Sequence, residues 1–167
     1  KGADIEVIRL LASALVEAGV GPVHLDVGHP GLYRALMSGV SLEPDDAEAL
    51  FTAVQHKDAA SVLALKSVAG EQRAAALAAL TRLHGSHEVI EAARAALPAL
   101  PGVAEALDSL ARLASAADSP AVSLSFDLAE LGGFNYENGI VFAAFVAGSP
   151  DAIARGGRYD GVGRAFG

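Results

Sequence analysis

Two six-residue segments with strict alternation of apolar and polar residues constrain the fold most strongly. The alternating residues are Val23, Leu25 and Val27 with His24, Asp26 and Gly28, and then Val122, Leu124 and Phe126 with Ser123, Ser125 and Asp127. Because successive strand side chains point to opposite faces, each segment predicts a strand with one buried and one polar face. Residues 140–146 are apolar on both faces, which is typical of a central strand. Residues 153–157 predict a further strand that ends in a glycine-rich turn.

The segment between the two alternating strands, residues 41–117, has a different character. It is rich in Ala and Leu, and its apolar residues recur at helical spacing without a convincing strand. Three stripes indicate helices: Ala47, Leu50, Phe51 and Val54; Val89, Ile90, Ala93, Ala96 and Leu97; and Val103, Ala106, Leu107, Leu110 and Ala114. Shorter helices are predicted at 59–68 and 71–83. We therefore predict a helical insertion of four or five short helices at 41–117, within a core domain formed by 1–40 and 118–167.

The order of the elements predicts the fold class. Residues 4–18 form an amphipathic helix, which Asp4 can cap and Gly19 can end. A short helix can start at Pro30, where the proline ring is tolerated. The strands do not alternate regularly with helices, which argues against a parallel α/β fold. We predict an α+β fold with a mainly antiparallel sheet, flanking helices and an all-helical insertion.

Charge and composition limit the classes of function. The formal net charge is −8, and Lys and Arg form no cluster, whereas nucleic-acid binding requires a basic surface. The chain has no cysteine, which excludes disulfides, thiolate metal sites and cysteine nucleophiles. No apolar run reaches the ~18 residues of a membrane span. We expect a cytoplasmic protein with neither a nucleic-acid nor a membrane partner. Because it starts at Lys1 and stops at Gly167 directly after a dense motif, we interpret it as an interior fragment.

The densest motif lies at the end of the chain. It consists of Ala154, Arg155, Gly156, Gly157, Arg158, Tyr159, Asp160 and Gly161. Adjacent glycines let the backbone approach a ligand and permit positive φ. The two arginines can bind a carboxylate or phosphate in bidentate fashion, and the tyrosine supplies a rigid wall with a polar tip. The alternative is a tight turn with a surface ion pair, and the residues alone leave both interpretations equally open.

The polar rows of the two alternating strands form a second candidate surface. They can either floor a polar cleft or face solvent, and the wet faces of antiparallel sheets favour solvent. His84 and His87 lack a nearby third ligand, so no metal site is predicted. The chain contains no nucleophile elbow and no phosphate-binding glycine loop. We therefore predict no catalytic residue and no cofactor.

Several segments resemble a known family. Residues 136–142 and 154–161 resemble the two histidine-binding signatures of histidyl-tRNA synthetases, and residues 3–8 resemble the helix after the second class II synthetase motif. The chain is more similar to a paralogous family, the regulatory subunits of ATP phosphoribosyltransferase. The segments that carry this closer similarity are 25–36 and 126–131, with the continuation of the latter into 136–145.

The resemblance implies a class II synthetase-like fold that functions without aminoacylation. Such a subunit assembles with a short-form catalytic subunit, which joins ATP to phosphoribosyl pyrophosphate in the first step of histidine biosynthesis. Feedback inhibition by histidine and self-association are also implied. The resemblance gives seven candidate histidine-binding residues: Tyr136, Arg155, Gly156, Gly157, Arg158, Tyr159 and Asp160.

Two departures from the synthetase pattern favour the regulatory family. The first synthetase signature carries an arginine that stabilises charge during adenylation, and Gly132 stands at that position. Losing such a group can cost on the order of several kcal/mol of transition-state stabilisation. Glu137 replaces a tyrosine and adds negative charge. An active histidyl-tRNA synthetase, or a helical interaction domain that acts through 41–117, are the alternatives.

Overall fold

The structure is a computed structural model that describes residues 3–20, 22–116, 122–134 and 137–159. The helices over these residues are α1 (Ala3–Glu17), α2 (Gly31–Leu36), α3 (Pro44–Gln55), α4 (Ala59–Ala64), α5 (Lys66–Ala69), α6 (Glu71–Leu80), α7 (Glu88–Ala96) and α8 (Pro101–Ala116). The strands are β1 (Val23–Gly28), β2 (His84–Gly85), β3 (Val122–Asp127), β4 (Val141–Val146) and β5 (Ala154–Gly157). None of the helices in this described part is both long and apolar enough to cross a membrane.

The strands form one sheet in the order β2-β3-β1-β4-β5. β1 pairs with β3 in parallel, and the other three pairings are antiparallel. The prediction of an α+β fold with a mainly antiparallel sheet is therefore confirmed. The parallel pair also explains the long helical segment, because parallel strands cannot be joined by a hairpin and need a crossover connection. Helices α2 to α8 lie on that connection.

The helical segment differs in detail from the prediction. The predicted helix at 59–68 is divided into α4 and α5 at Leu65, so the described part of 41–117 holds six helices instead of four or five. Helix α6 ends at Leu80, and the chain then forms β2, which the sequence pattern did not indicate. A two-residue strand is too short to show alternation. It is recognised only by its pairing with β3.

One contiguous core lies between the helices and one face of the sheet. Val23, Leu25 and Val27 of β1 are buried, which confirms the predicted apolar face of that strand. Helix α8 crosses α2 closely: a Cβ atom on Gly102 would lie 2.9 Å from the Cβ of Ala35. Glycine permits this approach because it has no side chain. The division into 1–40, 41–117 and 118–167 stays a prediction.

Candidate functional site

The polar rows of β1 and β3 lie side by side and are joined by hydrogen bonds. Ser125 Oγ donates to Asp26 Oδ1 at 2.8 Å, and the ring nitrogens of His24 lie 2.8 Å from the Oγ atoms of Ser123 and Ser125. Because the only hydroxyl hydrogen of Ser125 goes to Asp26, Ser125 accepts from Nε2 of His24. Nδ1 of a neutral ring then accepts from Ser123. This chain of hydrogen bonds ends on Asp26 and orients its carboxylate.

At the end of the rows that contains Asp26, the polar side chains form the floor of a cavity of about 370 Å³. Asp26 is half-buried there, whereas His24 at the outer end is exposed. Both interpretations of the polar rows therefore apply, each to one end of β1. The lining residues are Asp26, Glu130, Gly132, Gly133, Glu137, Val141, Phe142, Ala143, Phe145, Arg155, Gly156 and Tyr159.

Carboxylates dominate the charge of this cavity. Asp26, Glu130 and Glu137 face a single guanidinium, that of Arg155, among the described lining residues. Glu130 Oε1 accepts a hydrogen bond from the backbone N–H of Gly132 at 2.5 Å. Glu137 is only 7% exposed, so its charge lies in a region where water screens poorly. The cavity therefore favours ligands that carry an ammonium group or N–H donors, and it disfavours phosphates.

The adjacent glycines of the terminal motif, Gly156 and Gly157, lie within β5, and close packing requires them. β5 pairs with β4 so that Gly156 lies opposite Phe142. A Cβ atom on Gly156 would lie 2.6 Å from Cζ of Phe142, and one on Gly157 would lie 2.5 Å from the carboxylate of Glu137. Both residues have extended backbone without positive φ. The prediction of a glycine-rich turn at this point is wrong, because the glycines make room for side chains of the same chain.

Three of the predicted histidine-binding residues line the acidic cavity. These are Arg155, Gly156 and Tyr159. They reach it because β5 pairs with β4 and its end contacts the loop that leads into β4, where the N–H of Asn138 donates to the carbonyl oxygen of Arg158 at 2.8 Å. Tyr136 and Asp160 lie outside the described residues.

The other two predicted residues lie towards α1. Gly157 and Arg158 line a separate cavity of about 180 Å³, where Arg158 Nη1 is 3.7 Å from Asp4 Oδ2. The side chain of Arg158 also covers Gly139, at which a Cβ atom would lie 2.8 Å from its Cδ. Arg158 therefore packs against backbone and α1, and the two arginines of the motif occupy different surroundings.

Sequence reasoning did not single out Arg34 and His29, which lie beside the site. Arg34 Nη2 donates to the carbonyl oxygens of Phe134 at 2.9 Å and Glu137 at 3.2 Å. Nδ1 of His29 accepts from the backbone N–H of Gly31 at 3.2 Å. The pKa of His29 is lowered to about 4, chiefly by burial and also by nearby guanidiniums. Both residues belong to segment 25–36. The resemblance of this segment to the regulatory-subunit family was the sequence signal that could have pointed to them.

Asp127, the last polar residue of β3, is buried away from the cavity. Its Oδ2 is 2.5 Å from Lys57 Nζ, and its Oδ1 accepts from the N–H of Ala129 at 3.1 Å. Neither interpretation of the polar rows holds at this position. Instead, the ion pair ties the turn that follows α3 to the end of β3. Across residues 3–20, 22–116, 122–134 and 137–159, no three histidine or carboxylate side chains are grouped as metal ligands.

Comparisons with known proteins agree with this architecture. A family model described as histidyl-tRNA synthetase matches residues 1–167. ATP phosphoribosyltransferase regulatory subunits from Chromobacterium violaceum and Laribacter hongkongensis are 47% and 49% identical over 165 residues, which are 99% of this chain and 43% and 42% of theirs. The chain spans about half the length of the curated relatives it matches. The share of a relative's length that it covers ranges from 42% to 51%.

Solved structures give the same fold. An ATP phosphoribosyltransferase regulatory subunit/histidyl-tRNA synthetase from Bacillus halodurans is 28% identical with a TM-score of 0.79, over 99% of this chain and 44% of that one. The ATP phosphoribosyl transferase complex from Thermotoga maritima contains a chain with a TM-score of 0.73 and 21% identity, over 93% of this chain and 55% of that one, which shows a shared fold alone. The predicted class II synthetase-like fold is confirmed. The chain belongs to the histidyl-tRNA synthetase family, and curated relatives that are 43–49% identical to it are named ATP phosphoribosyltransferase regulatory subunit.

Proposed function

We propose that this chain is part of a non-catalytic regulatory subunit of ATP phosphoribosyltransferase. In this role the full-length protein self-associates in the cytoplasm and assembles with a short-form catalytic subunit. The catalytic subunit carries out the first step of histidine biosynthesis and requires the regulatory subunit for activity. The names of the curated relatives support this assignment.

The acidity of the 370 Å³ cavity is the observation that carries the proposal. Formation of histidyl adenylate requires the phosphates of ATP to lie beside the bound amino acid. Here Gly132 stands where the family resemblance places a synthetase arginine, and Glu137 adds a buried carboxylate nearby. Negative charge at this point repels phosphates and raises the barrier to adenylation. This arrangement supports a loss of synthetase chemistry with retention of an amino-acid pocket.

L-Histidine is the proposed effector. Cavities of about 300–1,000 Å³ are typical for small ligands, and this cavity combines carboxylates for an ammonium group with Arg155 for a carboxylate. Tyr136 and Asp160 remain candidate contacts from the family resemblance. Histidine would inhibit only if it binds the less active state of the complex more tightly, because a ligand shifts an equilibrium by its differential affinity.

Pyrophosphate exchange separates this proposal from the alternative, an active histidyl-tRNA synthetase. The full-length protein is incubated with histidine, ATP and labelled pyrophosphate, beside a known histidyl-tRNA synthetase as the positive control. We expect no histidine-dependent label in ATP. Exchange at the rate of the control would establish the synthetase alternative.

Calorimetry tests the proposed histidine site. We expect Arg155→Ala to weaken histidine binding to the full-length protein by about 10-fold or more, since a hydrogen bond to a charged group contributes about 1.5–3 kcal/mol. Arg158→Ala is the matched control, because Arg158 lies towards α1, and it should weaken binding less. Binding that appears only after the catalytic subunit is added, and that Arg155→Ala leaves unchanged, would place histidine at the subunit interface.

A further inference from the structure

Two of the three carboxylates that line the described part of the acidic cavity, those of Glu130 and Glu137, belong to the loop between β3 and β4. The side chain that anchors this loop lies outside the cavity. We infer that Arg34 of α2 is a positioning residue that holds this loop in its ligand-binding shape. The inference rests on the proposed function, because it concerns the affinity of the same cavity for its effector. Arg34 does not line the cavity, so it acts through the loop and not by contact with the ligand.

Hydrogen bonds from one nitrogen atom fix the loop at two points. Nη2 of Arg34 carries two hydrogens, and it lies 2.9 Å from the carbonyl oxygen of Phe134 and 3.2 Å from that of Glu137. These bonds are charge-assisted and therefore stronger than neutral ones. They hold the backbone at the residue whose side chain enters the cavity. The position of the Glu137 carboxylate thus depends on Arg34, which is distant in sequence.

Aromatic packing fixes the same loop from a second direction. The Phe134 ring lies 5.4 Å from the Tyr33 ring and 5.2 Å from the Phe51 ring, measured between centroids. The guanidinium carbon of Arg34 lies 4.9 Å from the centroid of the Phe134 ring. A guanidinium can stack on a ring and donate in its own plane at the same time, whereas an ammonium cannot do both equally well. The anchor therefore uses specific properties of arginine.

The loop contains adjacent glycines at 132 and 133, whose conformational freedom an anchor from outside the loop can restrict. Gly133 has a φ of +71°, which glycine adopts without strain. A Cβ atom on Gly133 would collide with the Glu137 carboxylate, so the glycine also leaves room for that side chain. Hydrogen bonds within the loop order part of it, among them the one from the N–H of Glu137 to the carbonyl oxygen of Gly133 at 2.7 Å. Arg34, Tyr33 and Phe51 add further order from α2 and α3.

The test compares full-length protein carrying Arg34→Met, Arg34→Lys or Arg112→Met, alone and in complex with the catalytic subunit. Methionine keeps an apolar stem but donates no hydrogen bond. Arg112 is the matched control, because it lines with Arg34 a second cavity of about 620 Å³, outside the acidic one, but donates to Ser109 Oγ on its own helix. Amide hydrogen exchange is measured without histidine, and histidine affinity is measured by calorimetry.

We expect Arg34→Met to accelerate exchange of the amides at 130–138 by about tenfold or more and to weaken histidine binding by a similar factor. Arg34→Lys should restore part of both, and Arg112→Met should change neither. Unchanged exchange at 130–138 in folded Arg34→Met would overturn the inference. So would faster exchange with unaltered histidine affinity.

The same experiment keeps the two proposals separate. If the wild-type protein binds no histidine in either form, the proposed effector is wrong, and the exchange rates alone then decide whether Arg34 positions the loop. If Arg34→Met does not fold, the comparison of Arg34→Lys with wild type decides. Lysine should leave exchange at 130–138 intermediate, and rates equal to those of wild type would contradict the inference.

Discussion

Protonation of His29 is expected to destabilise the folded protein as the pH falls from 7 to 5. His29 is 8% exposed, and its Nδ1 accepts a hydrogen bond from the N–H of Gly31. Burial is the largest cause of its lowered pKa, and the positive charge of Arg34 acts in the same direction. The folded state therefore resists a proton that the unfolded chain accepts readily.

The size of the effect follows from the two pKa values. The pKa of His29 is lowered from 6.5 to about 4 in the folded protein. The associated stability is fully present above pH 6.5, and it is lost as the pH falls through that value towards 4. At pH 5 the unfolded chain is almost fully protonated at this residue and the folded protein is not. Linkage then gives a loss of about 2 kcal/mol between pH 7 and pH 5.

Urea unfolding at pH 7 and pH 5 measures this loss in the full-length protein. His29→Asn keeps a neutral acceptor near Gly31 at both pH values, so the variant should lose about 2 kcal/mol less than wild type between them. His56→Asn, at an exposed histidine, is the control and should behave like wild type. An equal loss in wild type and His29→Asn would refute the assignment of a strongly lowered pKa to His29.

Three further changes test the packing and the site. Leu110→Ala removes a fully buried side chain of α8, and urea unfolding should show a loss of about 2–5 kcal/mol; a loss below 1 kcal/mol would contradict the packing of α8. Gly28→Ala would place a Cβ atom 2.6 Å from the Cβ of Glu130, so the same assay should show a loss of about 1–3 kcal/mol, and unaltered stability would contradict that contact. Ser125→Ala removes the donor to Asp26, and calorimetry should show histidine binding weakened by about tenfold; unchanged affinity would exclude a role for this hydrogen bond.

Local patterns were sufficient to predict most of the architecture. Alternation along 23–28 and 122–127 identified β1 and β3. Each of these strands has one buried face, so its apolar residues recur at every second position. The helical stripes identified α3, α7 and α8 for the same reason at helical spacing. The parallel pairing of β1 with β3 has no such local signature. It depends on how the helices of the crossover pack.

The candidate site was predictable only in part, because its geometry depends on contacts between distant residues. The motif at 154–161 pointed to Arg155, Gly156 and Tyr159, which do line the cavity. Strand geometry placed Arg158 elsewhere, and the sequence spacing alone could not show this. Arg34 was missed because its partners lie about a hundred residues away, at the carbonyls of Phe134 and Glu137. Every residue has a backbone carbonyl, so the sequence cannot show which carbonyls a given arginine contacts.

Reconstitution of ATP phosphoribosyltransferase activity tests the central claim most directly. The full-length protein is mixed with the short-form catalytic subunit from the same organism, and the condensation of ATP with phosphoribosyl pyrophosphate is followed as the protein is titrated. We predict that activity rises with the added protein and saturates at a fixed ratio of the two subunits. A catalytic rate that is the same with and without the protein, from a catalytic subunit shown to be folded, would contradict the assignment.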